Sequence, residues 1–93
     1  MSWLEIIELR SSGRKQPHLK ELFNKVVSEI NALDKEVQAS AFSRVTVEAD
    51  TSIHIRHFTT PVNNSGSPLG QRLASALNEY GYVNHRIWSE VID

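Results

Sequence analysis

Residues 42–58 form the most regular pattern in the chain, two runs in which apolar and polar residues alternate. A period of two is typical of strands that bury one face and expose the other. The pattern predicts two strands, Val37–Glu48 and Thr51–Phe58, joined by a tight turn at Asp50. The small residues at positions 38–41 predict that the first of these strands lies at a sheet edge or is approached closely by another backbone. The apolar members of the alternation are expected to face the core: Val45, Val47, Ile53 and Ile55.

Two helical patterns flank this hairpin. From Pro17 onward, apolar residues recur every three or four positions, which predicts an amphipathic helix ending near Leu33. A second helix is predicted to begin after an N-cap at Ser67, with Pro68 in its first turn and Gly81 as a left-handed C′ residue. The predicted apolar stripes are Leu19, Leu22, Phe23, Val26, Val27, Ile30 and Leu33 in the first helix and Leu69, Leu73, Ala76, Leu77 and Tyr80 in the second.

A short strand pattern lies at each end of the chain, at Trp3–Arg10 and at Val83–Ile92. The order of elements is therefore β-α-β-β-α-β, which predicts an α+β fold of the ferredoxin-like type. Each predicted helix has one apolar stripe to bury, so we expect both helices on one face of a four-stranded antiparallel sheet. We expect residues 1–93 to form a single domain of this kind.

The other face of the predicted sheet is left uncovered, and the alternation assigns side chains to it. The first strand carries apolar residues at both parities, as central strands do, so its orientation is open. We favour the arrangement in which Trp3, Glu5 and Ile7 lie on the uncovered face. The remaining residues assigned to that face are Phe42, Arg44, Thr46, His54, Arg56, Phe58, Arg86 and Trp88.

Composition narrows the classes of protein. Ten basic and eleven acidic residues give a net charge of −1, which does not favour nucleic acid or anionic membrane. No apolar run is long enough to cross a bilayer, and the acidic residues near the N-terminus are unlike a secretory signal, so we expect a cytoplasmic protein. The chain has no cysteine, which excludes thiolate nucleophiles and cysteine-bound metal.

The histidines are the first candidate chemistry. His54 and His57 have a spacing found in metal sites, but on a strand an offset of three places the two rings on opposite faces. His57 and His85 share the core-facing parity and are a possible cross-strand pair. Two histidines without a carboxylate make a weak site, and ordinary hydrogen-bonded histidines are the favoured interpretation.

Three arginines on the uncovered face, Arg44, Arg56 and Arg86, are the second candidate. With neighbouring aromatic rings they could hold an anionic or planar ligand. The favoured interpretation is that they pair with acidic residues across a dimer interface. The acidic residues expected in those pairs are Glu5, Glu48 and Glu90.

Three segments, Glu5–Arg10, the long helix from Pro17 and Trp88–Val91, give the chain a resemblance to the dimeric α/β-barrel superfamily. That superfamily includes antibiotic-biosynthesis-type monooxygenases and stress-responsive barrel proteins. The resemblance implies a homodimer joined through the uncovered sheet faces, with a cleft between sheet and helices. Its haem-degrading members use an asparagine on the first strand and a histidine late in the second helix. This chain has neither residue at those places, so we expect no haem.

The leading hypothesis is therefore a homodimeric binding protein or interaction module. We expect its ligand to be a small organic molecule in a pocket near Tyr80, His85 and the loop 59–66, and we expect no metal or cofactor. The alternative is a cofactor-independent, monooxygenase-like enzyme; an RNA-binding domain of the same topology is less favoured, because the third strand lacks the aromatic motif of such domains. The candidate ligand-binding residues are Arg44, His54, Arg56, Phe58, Tyr80, His85, Arg86 and Trp88.

Overall fold

The structure is a computed structural model that describes residues 2–11, 18–45 and 50–91. Its elements are, in chain order, β1 (Trp3–Ser11), α1 (His18–Leu33), β2 (Val37–Ser43), β3 (Asp50–His57), α2 (Pro68–Leu77), a 3₁₀ turn (Asn78–Tyr80) and β4 (Gly81–Ser89). The predicted helix start at Pro17 and the predicted strand end at Ile92 lie outside the described residues. The prediction of an α+β fold with two helices and a four-stranded antiparallel sheet is confirmed.

The strands lie in the order β2-β3-β1-β4, and every neighbouring pair is antiparallel. In this register Trp3 lies opposite His57, and Ile7 lies opposite both Ile53 and His85. Residues opposite each other in a sheet share a face, so odd-numbered positions of all four strands point to one side. Both helices pack on that side, which we call the helix side. The even-numbered side is the open face.

The core lies between the helix side of the sheet and the two helices. Burying each large apolar side chain there contributes about 1.5–3 kcal/mol. Two members of the predicted stripes are exposed rather than buried or half-buried: Leu33, the last residue of α1, is 87% exposed, and Ala76 is exposed while Ala74 packs against the core in its place. The buried core residues are Ile7, Leu9, Leu19, Phe23, Ile30, Ala39, Ile53, Ile55 and Leu77.

The first strand of the central hairpin is shorter than predicted. It ends at Ser43, and Val45 is 97% exposed, so the prediction that Val45 faces the core is wrong. The ladder stops where the Arg44 backbone N–H donates to the Asp50 carbonyl oxygen at 2.9 Å and the two side chains form an ion pair. Val47, predicted to face the core as well, lies outside the described residues.

The edge position predicted for this strand is confirmed, because β2 is an outer strand of the sheet. Its backbone is also contacted by α1. The Asn31 amide nitrogen donates to the Ala39 carbonyl at 2.9 Å, and the Asn31 amide oxygen accepts from the Ala39 N–H at 2.8 Å. The Asn31 side chain thus hydrogen-bonds two backbone groups of β2 that an unprotected edge strand would expose to pairing with another chain.

The favoured orientation of β1 is wrong. Trp3, Glu5 and Ile7 are on the helix side and are 3%, 0% and 0% exposed. The register requires this placement, since their partners on β3 are themselves core-facing. The half-buried residues Leu4 and Ile6 take the open face instead. When a central strand has apolar residues at both parities, its orientation is determined by its register with the adjacent strands.

Helix α2 starts as predicted and ends differently. Ser67 is its N-cap, accepting from the Gly70 N–H at 3.0 Å, and Pro68 is in the first turn. At the other end the helix continues into the 3₁₀ turn. Gly81 is then nearly extended, with φ 159° and ψ −157°, and begins β4 rather than closing the helix as a left-handed residue. A Cβ at Gly81 would collide with the Arg10 carbonyl oxygen, so the glycine permits close strand pairing.

Candidate functional site

A carboxylate is buried at the centre of the molecule. Glu5 lies on the central strand β1, on the helix side, and its side chain is completely buried. Placing a charged group there costs several kcal/mol unless its oxygens are hydrogen-bonded. The carboxylate of Glu5 is hydrogen-bonded by groups from three other parts of the chain, namely β3, β4 and the N-terminus of α2.

Each oxygen of Glu5 faces two hydrogen-bonding groups. Oε2 lies 2.6 Å from His57 Nε2 and accepts from the Ser67 hydroxyl at 2.5 Å. Oε1 lies 2.9 Å from His85 Nε2 and accepts from the Ser67 backbone N–H at 2.9 Å. A carboxylate has about four lone-pair positions, and all of them are used here. We call these four residues, Glu5, His57, Ser67 and His85, the Glu5 cluster.

Ser67 connects the Glu5 cluster to helix α2. Its hydroxyl oxygen accepts the Gly70 N–H while its hydroxyl hydrogen is donated to Glu5. The helix therefore begins directly at the carboxylate, where the partial positive charge of a helix N-terminus stabilises an anion. One serine thus caps the helix and binds the buried charge.

Two glycines make room for this arrangement. A Cβ on Gly70 would collide with Glu5 Oε1, and a Cβ on Gly66 would collide with the His85 ring. Gly66 also has φ +87°, a left-handed conformation that side chains disfavour. Larger residues at either position would push the loop and α2 away from the carboxylate.

The ring of His57 is held from a second direction. It stacks on the Trp3 indole with a centroid distance of 4.0 Å and an interplanar angle of 12°. The indole is itself fixed, because Trp3 Nε1 donates to the Thr60 carbonyl oxygen at 3.1 Å. His57 is thus bound by Glu5 at one edge and covered by Trp3 on one face.

A cleft of about 390 Å³ opens beside this stack. Its walls come from the turn after α1, from the loop between β3 and α2, and from the first turns of α2. His57 and Ser67 of the Glu5 cluster are part of its lining. The other lining residues are Trp3, Asp34, Glu36, Val37, Thr60, Pro61, Asn63, Pro68, Leu69 and Arg72.

The predicted relationships among the histidines are only partly right. His54 and His57 lie on opposite faces, and His57 and His85 both lie on the helix side, as expected. His57 and His85 are not on adjacent strands, however, because β1 lies between them and Glu5 bridges the two rings. The carboxylate between the two rings is Glu5. The sequence pattern does not reveal this, because β1 has apolar residues at both parities and Glu5 could face either side.

The predicted pocket near Tyr80, His85 and the loop 59–66 is displaced. The cleft includes Thr60, Pro61 and Asn63 from that loop, but neither Tyr80 nor His85 lines it. Tyr80 instead packs against the core, and the negative charge of the adjacent Glu79 raises the pKa of its phenol.

The remaining candidate residues lie on or beside the open face, where the lining of a depression of about 430 Å³ includes Arg44, His54 and Arg86. Arg44 pairs with Asp50 at 3.0 Å, and Arg86 pairs with Glu8 at 3.4 Å. The expected pairing with Glu5 is therefore wrong, because that residue is buried on the other side. Glu48 is outside the described residues.

The other expected acid, Glu90, accepts hydrogen bonds from Ser2, at 3.0 Å from its backbone N–H and 2.5 Å from its hydroxyl, and these bonds lower the pKa of Glu90. Arg56 donates to the Ser2 hydroxyl at 3.3 Å and lies 5.5 Å from the ring centroid of Phe58. Trp88 is 56% exposed. The predicted ligand-binding residues are thus divided between the two faces of the sheet and do not form one site.

His54 is a half-buried titratable residue of the open face. Its ring lies 4.5 Å from that of Phe42, and its Nε2 is 3.1 Å from the Ser52 hydroxyl. Burial lowers the pKa of His54, and the negative charge of Glu8 partly offsets that effect.

Comparison of the chain with protein-family models, curated proteins and solved structures gave no significant match. Among the described residues, no helix is long and apolar enough to cross a membrane. The same part of the chain contains no group of three or more histidine and acidic residues arranged to hold a metal ion. In the Glu5 cluster both imidazole Nε2 atoms are at hydrogen-bonding distance from the carboxylate oxygens, so nitrogen and oxygen bind each other rather than a shared ion.

Proposed function

We propose that the protein binds a small organic molecule in the cleft beside His57. The observation that carries this proposal is the direct contact between the cleft and the Glu5 cluster. Small-molecule sites are typically clefts of about 300–1,000 Å³ with mostly apolar walls and a few fixed polar groups. The cleft has this composition: prolines, a leucine, a valine and the Trp3 ring surround the polar edges of His57 and Ser67.

The open face is the weaker candidate for a ligand site although its depression is larger. The arginines that line it are exposed and already pair with Asp50 or Glu8, so a ligand would have to replace ion pairs that water screens. The cleft offers polar atoms whose positions are set by packing, so their orientation costs a ligand little entropy.

We further propose that the fold is ferredoxin-like and that two copies join through their open faces as a dimeric α/β barrel. The β-α-β-β-α-β order and the strand arrangement β2-β3-β1-β4 support the fold assignment. Phe42 and Trp88, 53% and 56% exposed, support the interface, because they lie with half-buried Leu4 and Ile6 on a sheet face that neither α1 nor α2 covers. Such a dimer leaves the cleft accessible, since the cleft is on the helix side.

The test of ligand binding uses para-nitroanisole, a planar and mostly apolar probe, in calorimetric titrations of the wild-type protein. We expect one probe molecule to bind per chain. Thr60→Phe should weaken binding at least about tenfold by filling the cleft, a difference of about 1.4 kcal/mol. The backbone carbonyl that holds Trp3 remains in this variant.

Thr59→Phe is the matched control. Thr59 is the exposed neighbour in the same bend and does not line the cleft, so its substitution should leave binding unchanged. Failure of the probe to bind, or equal binding by Thr60→Phe and the wild type, would show that the cleft is not the site.

A further inference from the structure

The two ring nitrogens of His57 have different surroundings. Nε2 lies 2.6 Å from Glu5 Oε2. Nδ1 has no hydrogen-bond partner within residues 2–11, 18–45 and 50–91. Nδ1 is not fully buried either. In those residues, the fully buried side-chain nitrogen and oxygen atoms that lack a partner are Asp50 Oδ1 and Thr51 Oγ1, and His57 Nδ1 is not among them. The ring lines the cleft, so Nδ1 is the polar atom that His57 offers to a bound molecule.

The Glu5 cluster determines which nitrogen carries the hydrogen. Glu5 accepts two hydrogen bonds from Ser67, and a carboxylate that accepts at all its positions needs a donor at His57 Nε2. A neutral imidazole with hydrogen on Nε2 has a free lone pair on Nδ1. The Trp3 stack fixes the ring plane, so the direction of that lone pair is set before any ligand arrives.

We propose that His57 Nδ1 is a proton acceptor for the molecule bound in the cleft, and that Glu5 is the positioning residue that keeps the opposite nitrogen protonated. This inference rests on the proposed ligand-binding function and specifies its ligand class. The ligand is an apolar organic molecule with a weakly acidic O–H or N–H group. Carboxylate-oriented histidines of this kind act as general bases in enzymes.

The proton transfer balances without any further reagent. The ligand O–H or N–H bond breaks and its electron pair stays on the ligand, while the Nδ1 lone pair forms the new N–H bond. The products are a ligand anion and an imidazolium. The imidazolium is then stabilised by the Glu5 carboxylate 2.6 Å from its Nε2.

Other charged or titratable groups lie beside Glu5 or in the lining of the cleft. His85 shares the Glu5 carboxylate from the far side, at 2.9 Å. Asp34 and Glu36 line the cleft from the turn after α1, and Arg72 lines it from α2. Arg72 is the positive charge beside these two acids, so the net charge of the lining does not favour an anion, and the ligand anion is stabilised by the adjacent imidazolium instead.

The resting tautomer can be measured on the unmodified protein by long-range proton–nitrogen correlation NMR of the histidine rings. We expect the His57 ring to carry hydrogen on Nε2 and none on Nδ1. Hydrogen on Nδ1, in either the neutral or the doubly protonated ring, would overturn the proposal. This measurement does not depend on the folding of any variant.

The functional test compares para-nitrophenol with para-nitroanisole, its methyl ether, which has the same ring but no acidic hydrogen. We expect the phenol to bind about tenfold more tightly, the effect of one well-made hydrogen bond. Its ionised form absorbs visible light, so proton transfer should appear as a fall in the pH at which the bound phenol ionises.

Two variants separate the roles of the two histidines. His57→Phe keeps an aromatic ring against Trp3 but removes Nδ1, so it should abolish the preference for the phenol and the ionisation shift while still binding the ether. His85→Phe also removes one donor to Glu5, but His85 does not line the cleft, so the preference should remain.

The outcomes distinguish the two proposals. Equal binding of phenol and ether by the wild type would overturn the proton-acceptor role of His57 and leave the cleft as a binding site. Loss of the phenol preference in His85→Phe and its retention in His57→Phe would overturn that role as well. Binding of neither probe would contradict the proposed function itself.

Discussion

The two faces of the sheet differ in how far their glutamate side chains are buried. Glu5 and Glu8 lie on the same strand, β1, and point to opposite sides. Glu5 is fully buried and hydrogen-bonded by groups from three other segments, whereas the Glu8 side chain is 44% exposed and pairs with Arg86 at 3.4 Å. The buried carboxylate is positioned by packing, while water screens the exposed one.

This difference decides where a specific site can form. Polar groups are useful to a ligand when their geometry is fixed and water does not compete for them. On the helix side the glycines, the Ser67 cap and the Trp3 stack fix the Glu5 cluster. On the open face the ion pairs surround exposed aromatic rings, a composition that suits contact with another protein surface.

The largest expected difference between the two faces is in stability, and it is measured by replacing each of the two glutamates in turn. Glu5→Ala should lower the free energy of unfolding by about 3–5 kcal/mol, because it leaves donors from Ser67 and two histidines unpaired in the core. Glu8→Ala removes an exposed pair and should cost less than about 1 kcal/mol. Denaturant unfolding of the two variants under the same conditions gives both values. Similar losses for the two would show that burial does not separate the faces.

The next largest effect is expected at the proposed dimer interface. Trp88→Ala should weaken self-association by about 2 kcal/mol, since tryptophans that become buried in an interface are typical anchors. Leu33→Ala is the control, because Leu33 is 87% exposed at the end of α1 and not on the open face. Sedimentation equilibrium measures both. A wild-type protein that is monomeric at micromolar concentration would contradict the interface.

The smallest effect concerns the dependence of stability on pH. Because burial lowers the pKa of His54 in the folded protein, the unfolded chain takes up a proton at this residue more readily. Stability should therefore fall as the pH drops through the ordinary histidine value of 6.5, and it should fall less in His54→Gln. In Glu8→Gln the stability should fall more steeply with decreasing pH than in the wild type, because this variant lacks the negative charge that opposes the lowering of the His54 pKa. Unfolding measured over this pH range gives the three slopes, and equal slopes would contradict the assignment.

The sequence predicts the order of elements well because each element has its own periodic signal. The alternation at Ile53 and Ile55 identifies β3, and the stripe containing Phe23 identifies α1. A helix N-cap can be predicted from the sequence in the same way: helix α2 starts at Ser67 and Pro68, where the pattern predicts it. These signals depend on residues that are close together in the chain.

The Glu5 cluster could not be predicted in the same way. Its members are on β1, β3, β4 and the start of α2, and they meet only once the register is fixed. Because β1 has apolar residues at both parities, its sequence does not decide which face Glu5 occupies; the register with β3 does. The end of β2 before Val45 is likewise set by a contact between Arg44 and Asp50 rather than by the alternation.

The chain contains two tryptophans, and the structure places one on each face, which allows a direct test of the proposed ligand site. The Trp3 indole N–H donates to Thr60 at the cleft, whereas Trp88 is exposed on the open face. Both indole signals can be followed in a proton–nitrogen correlation spectrum while para-nitrophenol is added. We predict that the Trp3 signal shifts with saturation and the Trp88 signal does not. A shift of Trp88 with an unchanged Trp3 would contradict the account and place the site on the open face.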